Sequence, residues 1–263
     1  MKTFKTHPYV PTIPKLKQLT NKATGKRLYV TPEGKKYPSI TTILQEYSRE
    51  GITAWRNKVG AAAANAIAAR AGQRGTRLHS LCEKYLQNQD PITEYVSVFD
   101  KALFTSIVPL LNDIDNIHIQ EQRLYSNHLR VAGTVDCIAE HKGRLSVIDF
   151  KTASKRKQKE QIENYFMQCS AYAIMYEELT SIPVDKIVLI IATEDYEPQL
   201  FVEKRNNYVD QLLYYRDLYE KNNPTYLDDV LDGFSDSTDA DSTNDNTNRS
   251  QLSRHEHDVQ GAA

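Results

Sequence analysis

Two aspartates and one lysine are spaced so that they could carry out metal-dependent chemistry. Asp149 and Lys151 end an apolar stretch, and the two-residue period of a strand puts both side chains on one face. If Lys142 and Gly143 form a two-residue turn, the chain returns so that Asp136 lies directly opposite Asp149. Side chains at such positions have Cβ atoms about 4.5–5.5 Å apart. The sequence thus predicts two adjacent carboxylates beside an amine.

Two carboxylates at that distance repel each other, which favours protonation of one of them unless a cation lies between them. A hard divalent ion with oxygen ligands removes the conflict. A second turn at Asn127 and His128 would place Glu121 opposite Thr134 and diagonal to Asp136, so Glu121 would join the same patch. A shift of one residue in either turn would send these side chains to different faces of the sheet. The predicted cluster therefore depends on the strand register.

Three further residues could belong to this site. His79 falls on a predicted helix, and a neutral imidazole can bind a metal, although a lone helical histidine is more often inert. Gln168 precedes Tyr172 by one helical turn and lies at the edge of an apolar stripe. A polar side chain there needs a hydrogen-bond partner, which is either the carboxylate cluster or a network within the core.

A basic segment precedes the same helix. Lys155, Arg156 and Lys157 lie at its predicted start, where cations oppose the helix dipole and so do not stabilise it. Binding of phosphate groups would explain them, and a solvated loop would explain them equally well.

The elements that must position these residues follow from hydrophobic periodicity and turn residues. Helices are predicted up to residue 48, with Ser39 or Thr41 as the cap, and at 54–71, 76–88, 96–111, 157–178 and 206–221. Strands are predicted at 26–30, 35–37, 119–125, 129–140, 144–152, 186–193 and 200–203. This order predicts an α+β, or three-layer α/β, core preceded by a helical half.

The chain of 263 residues divides into three predicted parts. Residues 1–24 form an irregular basic arm, and residues 25–227 form one domain, with a helical half at 38–112 and a core at 76–221. Residues 228–263 form an acidic tail of net charge −7, too polar to order itself, against +6 for the rest of the chain. A mildly basic body with an acidic tail is compatible with nucleic-acid binding.

The composition excludes several other classes of protein. With 40% hydrophobic and 25% charged residues, the chain is neither collagen-like, nor a coiled coil, nor wholly disordered. Cys82, Cys137 and Cys169 are far apart, which argues against a disulfide framework and against a four-thiolate metal site. We expect no membrane segment and no signal peptide, because no apolar run is long enough, and we therefore expect a cytoplasmic protein.

Taken in order along the chain, these motifs resemble the RecB-type branch of the PD-(D/E)XK nuclease superfamily. The matching positions are the upstream histidine, the aspartate of a GTVD sequence, a D-x-K element and a QxxxY motif: His79, Asp136, Asp149 with Lys151, and Gln168 with Tyr172. Three further stretches resemble segments of tailed-phage exonucleases and their mitochondrial genome maintenance exonuclease relatives: residues 37–44, Trp55 and residues 74–76. The resemblance implies a restriction-endonuclease-like core, a mixed sheet flanked by helices.

The resemblance also implies roles for individual residues. The Mg²⁺ or Mn²⁺ ligands would be His79, Asp136, Asp149 and the Phe150 carbonyl, while Lys151 would position or help to activate the attacking water and stabilise charge on the phosphate. Glu121 would be an additional acidic residue, and Gln168 and Tyr172 would support Lys151 or contact DNA. Contacts to a DNA strand would come from Ser39, Thr41, Thr42 and Trp55, although core packing explains Trp55 equally well.

The implied function is a metal-dependent DNA exonuclease that acts on ends, prefers single strands and serves phage-type DNA degradation, replication or recombination, in the host-cell cytoplasm if a phage encodes it. Two alternatives are a structure-specific endonuclease and a non-catalytic DNA-binding component of a recombination complex. The acidic tail would recruit replication or recombination proteins, repel non-specific nucleic acid, or act as a solubilising segment.

Overall fold

The computed structural model describes residues 2–21, 26–223 and 234–236. Within them the helices are α1 (Ile40–Val59), α2 (Ala61–Leu86), α3 (Val98–Leu111), α4 (Glu163–Thr180) and α5 (Val209–Asn222). The strands are β1 (Lys17–Asn21), β2 (Arg27–Val30), β3 (Lys36–Pro38), β4 (Ile114–Ser126), β5 (Val131–His141), β6 (Arg144–Ala153), β7 (Lys186–Thr193), β8 (Gln199–Lys204) and β9 (Phe234–Asp236).

The centre of the fold is a five-stranded sheet in the order β4-β5-β6-β7-β8. β6 and β7 run parallel, joined by a crossover through α4, and the other neighbours are antiparallel. A mixed sheet flanked by helices is the predicted fold class, and the structure confirms it.

The side chains of β6 alternate between two cores. Val147 packs in a cluster with Phe166 of α4 and Leu212 of α5, on one side of the sheet. Ile148 packs in a separate cluster with Leu81 of α2, on the other side. Since both helical layers pack against this strand, its position is fixed from both faces.

A smaller sheet, in the order β3-β2-β1-β9, lies beside the central one. Tyr29 of β2 and Tyr37 of β3 are buried in a cluster with Tyr125 of β4, which joins the two sheets. β1 belongs to the segment predicted as an irregular arm, and β9 to the predicted disordered tail, so the structure differs from those predictions at these strands. The rest of the tail, 228–233 and 237–263, lies outside the described residues.

The prediction of a break at Gly72 and Gly75 is wrong, because α2 is continuous across both. Glycine inside a helix costs only about 1 kcal/mol relative to alanine, and packing of the helix can offset that. Both glycines line the cleft described below, where a missing side chain leaves room.

All three cysteines are buried free thiols. Among the residues described, no helix is both long enough and apolar enough to cross a membrane.

We expect stability to fall as the pH is lowered through the range of His118. Burial lowers the pKa of His118 to about 4, and the neighbouring His7, stacked at 4.1 Å between ring centroids, adds to the shift. The neutral ring is stabilised in the fold, so the stabilisation is complete above about pH 6.5 and is lost between pH 6.5 and 4. For this half-buried group the loss is about 1–2 kcal/mol.

Urea unfolding of wild type and His118→Gln at pH 7.5 and pH 5 measures this loss. The difference in unfolding free energy between the two pH values should be smaller in the variant. An equal pH dependence in both proteins would show that His118 does not contribute.

Candidate active site

The turn between β5 and β6 sets the register predicted from the sequence. Lys142 and Gly143 both have positive φ, 53° and 73°, and His141 pairs with Arg144. The observed ladder ends at Cys137 and Ile148, one pair short of the two aspartates. The next residue, Asp136, instead accepts a hydrogen bond at Oδ2 from the Phe150 backbone N–H at 3.0 Å. The side chain of Asp136 is thus held against the strand that carries Asp149.

The predicted pairing of Glu121 with Thr134 is wrong. The loop between β4 and β5 spans four residues, because Ser126 pairs with Val131, and Thr134 therefore pairs with Arg123. Glu121 lies opposite Asp136 instead, between the observed pairs on either side. A shift of two residues preserves the face of the sheet, so Glu121 still reaches the predicted patch.

His79 completes a group of three possible metal ligands. Its Nδ1 atom lies 3.3 Å from Asp136 Oδ2 and 4.0 Å from Glu121 Oε1. One ligand atom from each of the three residues lies within 4.8 Å of the others. In the described part of the chain, neither the buried His79 Nδ1 nor the buried Asp149 Oδ1 has a hydrogen-bond partner. A divalent cation fits this set, since it would satisfy the buried atoms and neutralise the carboxylates.

Asp149 and Lys151 form a buried ion pair, with Lys151 Nζ 2.5 Å from Asp149 Oδ2. Burial raises the pKa of Asp149, an effect that Lys151 opposes and Asp136 reinforces. Burial alone would lower the pKa of Lys151, but the charges of Asp149 and Asp136 outweigh it and raise that pKa. Lys151 also lies 5.1 Å from the centroid of the Tyr165 ring. The site therefore holds a fixed ammonium group.

Gln168 and Tyr172 lie on the buried face of α4 and line the same cleft. The Gln168 Nε2 donates to the Tyr172 hydroxyl at 3.2 Å. Gly133 makes this arrangement possible, because a Cβ at that position would lie 2.8 Å from Tyr172 Cε1 and 3.2 Å from Ile40 Cγ2. The glycine of the GTVD sequence thus leaves room for the tyrosine of the QxxxY motif.

Gly133→Ala is expected to destabilise the fold by about 1–3 kcal/mol, because Tyr172 and Ile40 must both move. The matched control is Gly75→Ala, where a Cβ would meet only Thr152 Oγ1 at an ordinary 3.9 Å. The control should be neutral or up to about 1 kcal/mol more stable, because alanine favours a helix. Urea unfolding measures both changes. An unchanged free energy of unfolding in Gly133→Ala would mean that the close approach of Tyr172 to residue 133 does not hold the tyrosine in place.

A cleft connects these residues to the smaller sheet. One part of its lining, from α2, β5 and β6, includes His79, Asp136 and Lys151. Another part, from β2 and the beginning of α1, comprises Arg27, Ser39 and Thr41 and is termed the Arg27 side below. Arg27 could not be predicted from the sequence, because it lies far along the chain from the D-x-K element and belongs to no recognisable motif.

The residues predicted to bind nucleic acid have different surroundings. Ser39 caps α1 by accepting a hydrogen bond from the Thr42 N–H, and both Ser39 and Thr41 line the cleft. Thr42 is buried and its hydroxyl lies 2.7 Å from Ser39 Oγ. Trp55 is 5% exposed and packs with Ala64, so the core-packing interpretation describes it and base stacking does not.

The basic segment lies in a loop, because α4 begins at Glu163 and not near residue 157. Lys155, Arg156 and Lys157 therefore do not lie at the positive end of the α4 dipole. Lys155 is exposed, Arg156 pairs with Glu197 at 3.3 Å, and Lys157 is buried with its backbone bonded to the Gln199 side chain. Phosphate binding by these residues stays a prediction.

Comparison with known proteins identifies the family. A sequence profile described as the PD-(D/E)XK nuclease superfamily matches residues 42–230, which include α2, the central sheet and α4. The chain belongs to the PD-(D/E)XK nuclease superfamily. This match confirms the resemblance drawn from the motifs. The matched span begins at residue 42, so Arg27 and Thr41 lie outside it.

Individual relatives are more distant. The chain is 25% identical over 175 residues to human mitochondrial genome maintenance exonuclease 1, which covers 61% of this chain and 50% of that protein. The mouse protein of the same name is 25% identical over 189 residues, which covers 67% of this chain and 55% of the mouse protein. This member of the PD-(D/E)XK superfamily spans about half the length of the curated relatives it matches.

Proposed function

We propose that the protein is a divalent-metal-dependent DNA exonuclease. The observation that carries the proposal is the convergence of His79, Glu121 and Asp136 within 4.8 Å, beside the buried pair of Asp149 and Lys151. Carboxylates and an imidazole around one point suit a cation, and an ammonium group beside them suits a phosphate.

The proposed ligands of Mg²⁺ or Mn²⁺ are His79, Asp136, Asp149 and the Phe150 carbonyl, with Glu121 as a further oxygen donor. When bound, such an ion lowers the pKa of a water and stabilises negative charge on the phosphate. The chain's own part is to hold the ligands in place. Asp136 is oriented by the Phe150 N–H at 3.0 Å, and Asp149 by Lys151 at 2.5 Å.

Lys151 has a separate part in the reaction. Lys151 lines the cleft, and its ammonium group keeps further N–H groups beside the one paired with Asp149, so it could donate a hydrogen bond to a non-bridging phosphate oxygen. Gln168 and Tyr172 line the cleft beside it and would limit where the phosphate and the attacking water can lie.

The substrate and mode of attack are the finer part of the proposal. The named exonuclease relatives support DNA ends as the substrate, and we extend this to a preference for single strands and a role in phage-type degradation, replication or recombination. We assign the activity to the cytoplasm, with protein partners contacted through the acidic tail.

Digestion of end-labelled linear and circular single-stranded DNA tests the proposal. With Mg²⁺ or Mn²⁺ we expect short products from the linear strand and none from the circle, and with EDTA no cleavage of either. Arg144→Gln, a change at the opposite end of β6, serves as a control variant that should keep full activity.

The other outcomes are equally informative. Opening of the circle would identify the endonuclease alternative instead. Binding of DNA without cleavage under any metal condition would identify a non-catalytic DNA-binding protein and remove the enzymatic proposal.

A further inference from the structure

The Arg27 side of the cleft is connected to the central sheet by backbone contacts. Arg27 directly precedes Leu28 and Tyr29, both fully buried. Its backbone carbonyl accepts a hydrogen bond from the Ser39 N–H at 3.2 Å, and Ser39 in turn forms a parallel bridge with Ala132 of β5. The hairpin that carries the guanidinium is therefore attached to the strand that carries Asp136.

The guanidinium of Arg27 is directed toward the beginning of α1. Its Nη2 donates to Thr41 Oγ1 at 3.3 Å, and Thr41 Oγ1 lies 2.9 Å from Ser39 Oγ. These three side chains place a cation and two hydroxyl groups together in the lining of the cleft. Arginine presents several N–H groups in a plane that matches the oxygens of a phosphate.

The electrostatics of this side favour an anion. α1 is 20 residues long and has no acidic residue in its first turn, so the positive end of its dipole is not offset there. Of the described residues that line the cleft, Asp136 is the only acidic one, and it belongs to the proposed cation ligands. The negative phosphates of a strand bound in the cleft would thus face two cationic side chains, Arg27 and Lys151.

The cleft is also built to receive a ligand. His79, which is 7% exposed, lines it with an Nδ1 atom that has no hydrogen-bond partner among the described residues. This atom belongs to the proposed cation site, which thus lies in the same cavity as Arg27.

We infer that Arg27, with Thr41, binds a second backbone phosphate of the substrate strand, next to the phosphate that is cut. The inference rests on the proposed function and adds to it a phosphate subsite outside the residues that the superfamily profile matches. The cut phosphate belongs beside Lys151 and the proposed cation ligands, whereas Arg27 reaches the cleft from a different sheet. Because Arg27 and Lys151 line one cleft, a strand bound in it would contact both.

Binding and cleavage of a labelled oligothymidylate by the full chain test this inference. Binding is measured by fluorescence anisotropy in EDTA at several salt concentrations, and cleavage is measured with Mg²⁺. For Arg27→Gln we expect about tenfold weaker binding, and a dependence of log affinity on log salt that is shallower by about 0.7, the value for one lost phosphate contact on a single strand. The KM should rise by a similar factor while kcat stays within about threefold.

Two variants serve as comparisons. Arg27→Lys keeps the charge but loses the planar donors, and it should recover part of the affinity and the full salt slope. Arg144→Gln removes an exposed arginine at the far end of β6 and should leave affinity, salt slope and KM unchanged.

The outcomes separate this inference from the proposed function. Cleavage by the wild type together with an unchanged affinity and salt slope in Arg27→Gln overturns the inference and leaves the proposed function standing. Arg27-dependent binding without cleavage supports the phosphate subsite and overturns the exonuclease. If the wild type neither binds nor cleaves DNA, both are overturned.

Discussion

Replacing Lys151 by methionine is expected to lower DNA cleavage by about a thousandfold or more. The change removes the ammonium group that stabilises charge on the phosphate, while the similar length of methionine keeps the packing against Tyr165. It also leaves Asp149, 1% exposed at its side chain, without its cation, so we expect a loss of about 3 kcal/mol in stability. Single-turnover cleavage and urea unfolding measure the two effects.

A double variant separates chemistry from stability. In Asp149→Asn combined with Lys151→Met, neither charge of the buried pair remains, so much of the lost stability should return. Activity should stay at the level of the single variant. Recovery of activity together with stability would show that Lys151 only supports the fold.

Asp136→Asn is expected to abolish cleavage and to weaken Mn²⁺ binding by at least about tenfold. Asparagine can still accept the hydrogen bond from Phe150 N–H through its Oδ1, so the backbone geometry should survive. The charge that attracts the cation is lost. Calorimetric titration with Mn²⁺ in the absence of DNA measures the binding directly.

Glu121→Gln is the matched control for this change. Its side chain is 31% exposed and lies 4.0 Å from His79, farther than Asp136, so its loss should cost less in Mn²⁺ affinity. Equal losses of Mn²⁺ affinity in Asp136→Asn and Glu121→Gln would contradict the central position of Asp136 among the proposed ligands. Unaltered Mn²⁺ binding in Asp136→Asn would remove this aspartate from the proposed ligands.

The sequence was sufficient to predict the part of the site that depends on one short turn. Glycine at position 143 suits a positive φ, and a two-residue loop leaves a single register for β5 and β6. That register brings Asp136 beside the strand of Asp149 and Lys151. The five-stranded mixed sheet could be predicted from the order of elements along the chain. The short turns between β4, β5 and β6 indicate antiparallel neighbours, and the crossover through α4 indicates a parallel one.

Other parts could not be predicted, for identifiable physical reasons. The four-residue loop before β5 includes Arg130 with φ of 54°, a conformation that arginine does not favour and that no local pattern indicates. The contribution of Arg27 depends on docking of the smaller sheet through Tyr29 and Tyr125, a contact between distant segments. The burial of Trp55 likewise depends on how α1 meets Ala64 of α2.

The middle position of β6 in its sheet has a consequence for solvent exchange. Amide protons at the centre of a sheet exchange only through large cooperative openings, whereas short peripheral elements open more readily. Deuterium is therefore expected to reach the backbone of Arg27, on the four-residue β2, well before that of Asp149. The carboxylate-bearing half of the cleft thus keeps its shape during fluctuations that loosen the other half.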